Sequence, residues 1–136
     1  MLGDTAQLRA AARSLDSAAA VLVAGGVADS MSTLAADSYL ALGDSAAALR
    51  SLRFFLDRGA VTTNYFIATG SEEGFPLFVV VPHSMLLRAE LAAAAGQRDE
   101  ARTWYRRFID AWATAIPELQ PIVAQARTNL AALGDP

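Results

Sequence analysis

Two stretches of the chain, 53 residues apart, repeat one pattern around a glycine. An apolar segment runs through Tyr39 and Leu42 to Gly43, and a second runs through Ala92 and Ala95 to Gly96. A short polar turn follows each glycine. Five positions after it stands a small residue, Ala48 or Ala101, and nine positions after it a large one, Leu52 or Tyr105. A bulky pair comes next, Phe55 with Leu56 and Phe108 with Ile109. Glycine permits the left-handed turn that ends a helix. The alanines let the two helices approach closely, and the larger residues fill the groove toward a neighbouring hairpin. The spacing therefore predicts two antiparallel helical hairpins.

The remaining helices follow from caps and periodicity. Asp4 reads as the N-cap of a first helix with Leu8, Ala11, Ala12, Leu15, Ala18, Ala19 and Leu22 on one stripe, stopped by Gly25 and Gly26. Asp29 or Ser30 reads as the cap of the next, which carries Met31, Leu34, Ala35 and Tyr39. Asp44 or Ser45 opens a third, in which Ala48, Leu49, Leu52, Phe55 and Leu56 form a strong amphipathic face. Residues 60–81 break the rhythm. Val61 to Thr69 and Pro76 to Val81 are β-prone and flank Gly70 to Gly74, so this segment reads as extended structure or an ordered loop. Pro82 suits the first turn of a new helix, through Met85, Leu86, Ala89 and Ala92. The next helix places Ala101, Trp104, Tyr105, Phe108, Ile109 and Trp112 on an apolar stripe. Arg98, Arg102 and Arg106 share another face, with Asp110 in ion-pair register to Arg106. A last helix carries Ile122, Ala126, Leu130 and Leu133 on one side and ends at Gly134.

Composition narrows the function classes. The length of 136 residues suits one compact domain. Alanine supplies 30 residues, and 54% apolar with 18% charged residues is too apolar for a disordered chain. No apolar run approaches the ~20 residues of a membrane-spanning helix. A net charge of -3 argues against nucleic acid as a partner. Without cysteine there is no disulfide framework, thiol nucleophile or Cys-ligated metal, and a single histidine excludes His clusters. All eleven basic residues are arginine, which a GC-rich genome accounts for. No signal-peptide pattern opens this chain, and the compartment is left open.

The glycine-centred pattern resembles the tetratricopeptide repeat, a helical hairpin of about 34 residues. On that register one hairpin covers about 29–59 and the other 82–115, with residues 60–81 inserted between them. Residues 4–25 then resemble the second half of an earlier hairpin, and 117–133 the terminal cap that such arrays carry. The resemblance implies an all-α fold of hairpins stacked as a short right-handed superhelix. Ser32 and Met85 stand where the family has a large residue early in the hairpin, and Ala60 and Ala113 where it has proline. The run around Trp104 to Phe108 and the Pro117 to Pro121 linker resemble C-terminal repeat regions of larger bacterial proteins, so a fragment is expected.

What the resemblance implies about function is protein binding, without a cofactor. Partners would sit in a concave groove lined by Ser30, Thr33 and Asp37 from one hairpin and His83, Leu86 and Glu90 from the other. That groove is weakly acidic and partly apolar, and it lacks the Lys/Arg/Asn set with which some members clamp a C-terminal carboxylate. A basic or apolar partner fits better. The alternative is a structural subunit of a homomeric or mixed assembly, built by repeat stacking and by the apolar inserted segment with Tyr65, Phe66, Phe75 and Phe78.

No catalytic constellation assembles from the sequence. His83 has Ser84 beside it, but adjacent residues on a helix do not face each other. Glu72 and Glu73 sit between glycines as a solvated loop tip, and no phosphate-loop lysine follows any glycine run. The expectation is a non-enzymatic protein.

Overall fold

The computed structural model describes residues 2–21, 26–58 and 75–134, with side chains at 4–21, 31–57 and 81–134. Six α-helices and one 3-10 turn account for nearly all of them, and no strand occurs among the described residues. They are α1 (Leu2–Val21), α2 (Gly26–Ala41), α3 (Ser45–Arg58), α4 (Phe75–Ala94), α5 (Arg98–Ala111) and α6 (Gln120–Ala132). The all-α expectation holds at this level. The chain divides into two compact units, residues 1–80 and 81–136.

In the first unit α1 packs on α2 and α2 on α3. Gly43 makes the reversal, at φ 73°. Its N–H donates to the Leu40 carbonyl at 2.9 Å, and the Asp44 N–H donates to the Tyr39 carbonyl at 2.8 Å. This paired closure satisfies two carbonyls that the end of α2 would otherwise leave open. Asp44 then caps α3 by accepting the Ala47 N–H at 3.0 Å. The face read from the sequence is the one that packs: Ala48, Leu49, Leu52, Phe55 and Leu56 are all buried against a core that includes Ala12, Ala19, Ala35, Ala36 and Tyr39. Burying one leucine such as Leu52 is worth about 1.5–3 kcal/mol.

A polar node ties the three helices together. The Ser51 hydroxyl on α3 donates to Asp16 Oδ1 on α1 at 2.7 Å. Tyr39 on α2 is hydrogen-bonded to the same carboxylate, and burial first and Asp16 second raise its phenol above the usual tyrosine range. Each of these groups would be costly to bury alone. Together they fix which face of α1 turns inward.

The second unit repeats the reversal. At Gly96 φ is 75°, the Gly96 N–H meets the Ala93 carbonyl at 3.0 Å, and the Gln97 N–H meets the Ala92 carbonyl at 2.8 Å. Ala101, Trp104, Tyr105 and Phe108 are buried, matching Ala48, Leu52 and Phe55 in the first hairpin. Arg88 on α4 crosses to α5. Its Nε donates to Glu100 at 2.8 Å, and its guanidinium lies 4.2 Å from the Trp104 ring centroid. The buried charge is thus both paired and stacked. Pro117 opens a 3-10 turn over Pro117–Leu119, and α6 then packs on α5 through Val123 and Ala126.

Several expectations need correction. Asp4 lies inside the first turn of α1, and α2 begins at Gly26, which places Asp29 and Ser30 within it. Helix start signals are met by more than one nearby residue, and packing selects among them. The stretch from Phe75 to Val81 is helical, and Pro82 lies inside α4. Pro76 in the first turn costs no hydrogen bond, and the valines cost only a few tenths of a kcal/mol each in helix propensity. A short apolar run does not by itself distinguish strand from helix. The segments around Val61 to Thr69 and Gly70 to Gly74, with Glu72 and Glu73, lie outside the described residues.

Among the described residues, nothing lies within 4 Å of where a Cβ at Gly43 or Gly96 would stand, so alanine there meets a conformational penalty. Gly43→Ala and Gly96→Ala should each destabilise the protein by about 1–2 kcal/mol in urea titrations. Asparagine at either position should cost clearly less. Equal tolerance of alanine and asparagine would contradict the left-handed reversal.

Candidate functional site

The residues expected to bind a partner fall in both units. Ser30 lies in α2, with its side chain outside the described residues; Thr33 is half-buried and Asp37 exposed. In the second unit His83, Leu86 and Glu90 follow one face of α4 at i, i+3 and i+7. Leu86 and Glu90 line a groove against α6, whose other wall is Pro121, Ile122, Gln125, Ala126 and Asn129. The groove measures about 270 Å³. That is below the usual range for drug-sized ligands, roughly 300–1,000 Å³, and suits one or two side chains.

Its polar atoms are ordered in a chain. Gln125 Nε2 donates to Asn129 Oδ1 at 2.9 Å, and Asn129 Nδ2 donates to the Tyr105 hydroxyl oxygen at 3.4 Å. Tyr105 is buried, and burial raises its phenol above the ordinary range; the negative charge of Glu90 adds to this while the Asn129 hydrogen bond opposes it. Glu90 is exposed overall, but burial of its carboxyl raises it above the ordinary glutamate range, and His83 pulls it partly back. The amide donors at Asn129 and Gln125 that make these bonds point along the chain. The Gln125 carbonyl and the Glu90 carboxylate remain as acceptors, beside the apolar Leu86 and Ile122. Such a surface receives a hydrogen-bond donor or a cation next to an aliphatic group.

The expected groove joined Leu86 and Glu90 to Ser30, Thr33 and Asp37, whereas the groove they line within the second unit has α6 as its other wall, which sequence reasoning did not include. The signal was present, since Gln125 and Asn129 are four apart and so share a face. Nothing in α6 alone says which face meets α4. Of the assembly residues, Tyr65 and Phe66 lie outside the described residues, while Phe75 and Phe78 fall in α4 with side chains outside them.

His83 and Ser84 diverge as helical geometry requires. His83 is exposed, whereas the Ser84 hydroxyl is fully buried with no hydrogen-bond partner among the described residues. Among the described residues, no three His, Asp or Glu side chains come together as metal ligands, and no helix is long and apolar enough to cross a membrane.

The geometry makes the titration of Glu90 a reporter of the groove. Its folded-state midpoint lies above the unfolded one, so its contribution favours folding at low pH and is lost as pH rises through the folded midpoint. Carboxyl NMR titration should find Glu90 above the ordinary glutamate value, and higher still in His83→Ala. A midpoint at or below the ordinary value would place Glu90 outside the groove.

No family model matches the chain, and no curated protein or solved structure is found similar to it. What the groove can do therefore follows from its own chemistry.

Proposed function

We propose that the chain is a non-enzymatic interaction module, a short tetratricopeptide-like array that takes a basic, partly aliphatic peptide segment in the α4–α6 groove. The tetratricopeptide likeness is supported by the two reversals at Gly43 and Gly96, which share the same paired closure. It is also supported by burial at the matching positions Ala48 and Ala101, Leu52 and Tyr105, Phe55 and Phe108. In such an array α4 and α6 are equivalent first helices of successive repeats, and their shared face is the concave one.

The observation that carries the binding reading is Glu90 in the groove between Leu86 and Ile122. A desolvated carboxylate is worth most to a partner that brings a positive charge. An arginine or lysine side chain meets both needs, with its aliphatic stem on Leu86 and Ile122 and its head on Glu90 and the Gln125 carbonyl. An acidic segment would meet repulsion from Glu90.

A randomised peptide display selection on the immobilised chain tests this. Enriched sequences should place Arg or Lys next to Leu, Ile or Val, and Glu90→Arg should shift the preference to Asp or Glu. Enrichment that is indifferent to Glu90→Arg, or no enrichment at all, would overturn the proposal.

A further inference from the structure

The arginine stripe of α5 opens on a second cleft of the same unit. Arg102 turns inward: its Nε donates to the Gly134 carbonyl at 3.0 Å and Nη2 to the Leu133 carbonyl at 3.1 Å. Its Nη1 donates to Asp99 Oδ1 at 2.8 Å. Arg102 therefore closes the open carbonyl end of α6, and Asp99 balances its charge. One turn further along α5, Arg106 lines a cleft of about 460 Å³ together with Arg102, with Arg127, Leu130 and Ala131 from α6, and with Gly134 just beyond that helix.

Arg106 and Arg127 are exposed, and neither holds a hydrogen bond or ion pair with any described residue. The sequence register offered Asp110 to Arg106, but no such pair forms among the described residues. Among the described residues, no carboxylate lines the cleft. Two guanidinium groups thus line one space from two helices, in a chain whose net charge is -3. No counter-charge to either lines the cleft among the described residues.

We propose that this cleft binds a phosphoryl dianion. The charge count decides the class: one dianion neutralises Arg106 and Arg127 together, whereas a single carboxylate leaves one of them unbalanced. The geometry agrees, because planar guanidinium forks approaching from two walls can each take a pair of phosphate oxygens. Arg102 contributes by masking the carbonyls of Leu133 and Gly134, which would otherwise repel the anion. The phosphoryl group can belong to a free phosphate-bearing small molecule or to a phosphorylated peptide. This site is separate from the Glu90 groove and does not depend on the reading given for it.

Isothermal titration with inorganic phosphate at pH 8, against acetate at equal ionic strength, tests the proposal. Saturable binding is expected with phosphate and not with acetate. It should weaken as pH falls through about 7, where the inorganic phosphate dianion takes up a proton and becomes a monoanion. Arg106→Gln with Arg127→Gln should reduce affinity roughly tenfold per arginine, with unfolding unchanged because both side chains are exposed and Arg102 is kept. A parallel titration with a phosphoserine peptide separates the sources. Tighter binding than inorganic phosphate assigns the site to a phosphorylated partner, and equal or weaker binding assigns it to a small ligand. Phosphate binding no stronger than acetate, or equal binding by the double variant, would overturn it.

Discussion

The left-handed glycine is the constraint on which the rest of the architecture depends. At Gly43 and again at Gly96 one residue with φ near +75° lets two backbone N–H groups reach back to the end of the preceding helix. The chain then reverses within a few residues and lays the next helix alongside. Close approach requires a small residue at the first point of contact, and Ala48 and Ala101 are both fully buried there. Once that contact is fixed, helical periodicity carries Leu52 and Tyr105, then Phe55 and Phe108, into the core. The sides that are left over become the surfaces available for binding.

Arginine serves three different purposes in the second unit. Arg88 is a core residue, paired with Glu100 at 2.8 Å and stacked on Trp104. Arg102 is a helix cap, and Arg106 with Arg127 stands beside it around a cleft that no described carboxylate lines. A lysine could not do the first two jobs equally well, because they use a planar fork that hydrogen-bonds in several directions and lies flat on a ring. GC-rich coding can account for the absence of lysine. It does not account for where these guanidinium groups stand.

Much of the architecture was legible because it rests on local rules. Both reversals, the apolar face of α3, and the Trp104–Phe108 stripe of α5 follow from glycine placement and a 3.6-residue period. The misses share a different cause. Arg102 read only as one of three arginines sharing a face with Arg98 and Arg106, and only the end of α6, about thirty residues on, gives it carbonyls to bind. Val123 is fully buried although Ile122 was the residue assigned to the apolar side, because either choice satisfies the period and α5 decides between them. Asp16 gave no local sign that it would join Ser51 and Tyr39. Residues 75–81 were ambiguous in principle, since an apolar run of that length carries no period.

The groove on α4 and α6 is the central functional claim, and amide chemical-shift mapping tests it most directly. The isotopically labelled chain would be titrated with a short peptide alternating arginine and leucine. The account predicts saturable shifts centred on Leu86, Glu90, Ile122, Gln125 and Asn129, with the amides around Arg106 and Arg127 unmoved. Shifts centred elsewhere, or none at millimolar peptide, would contradict it.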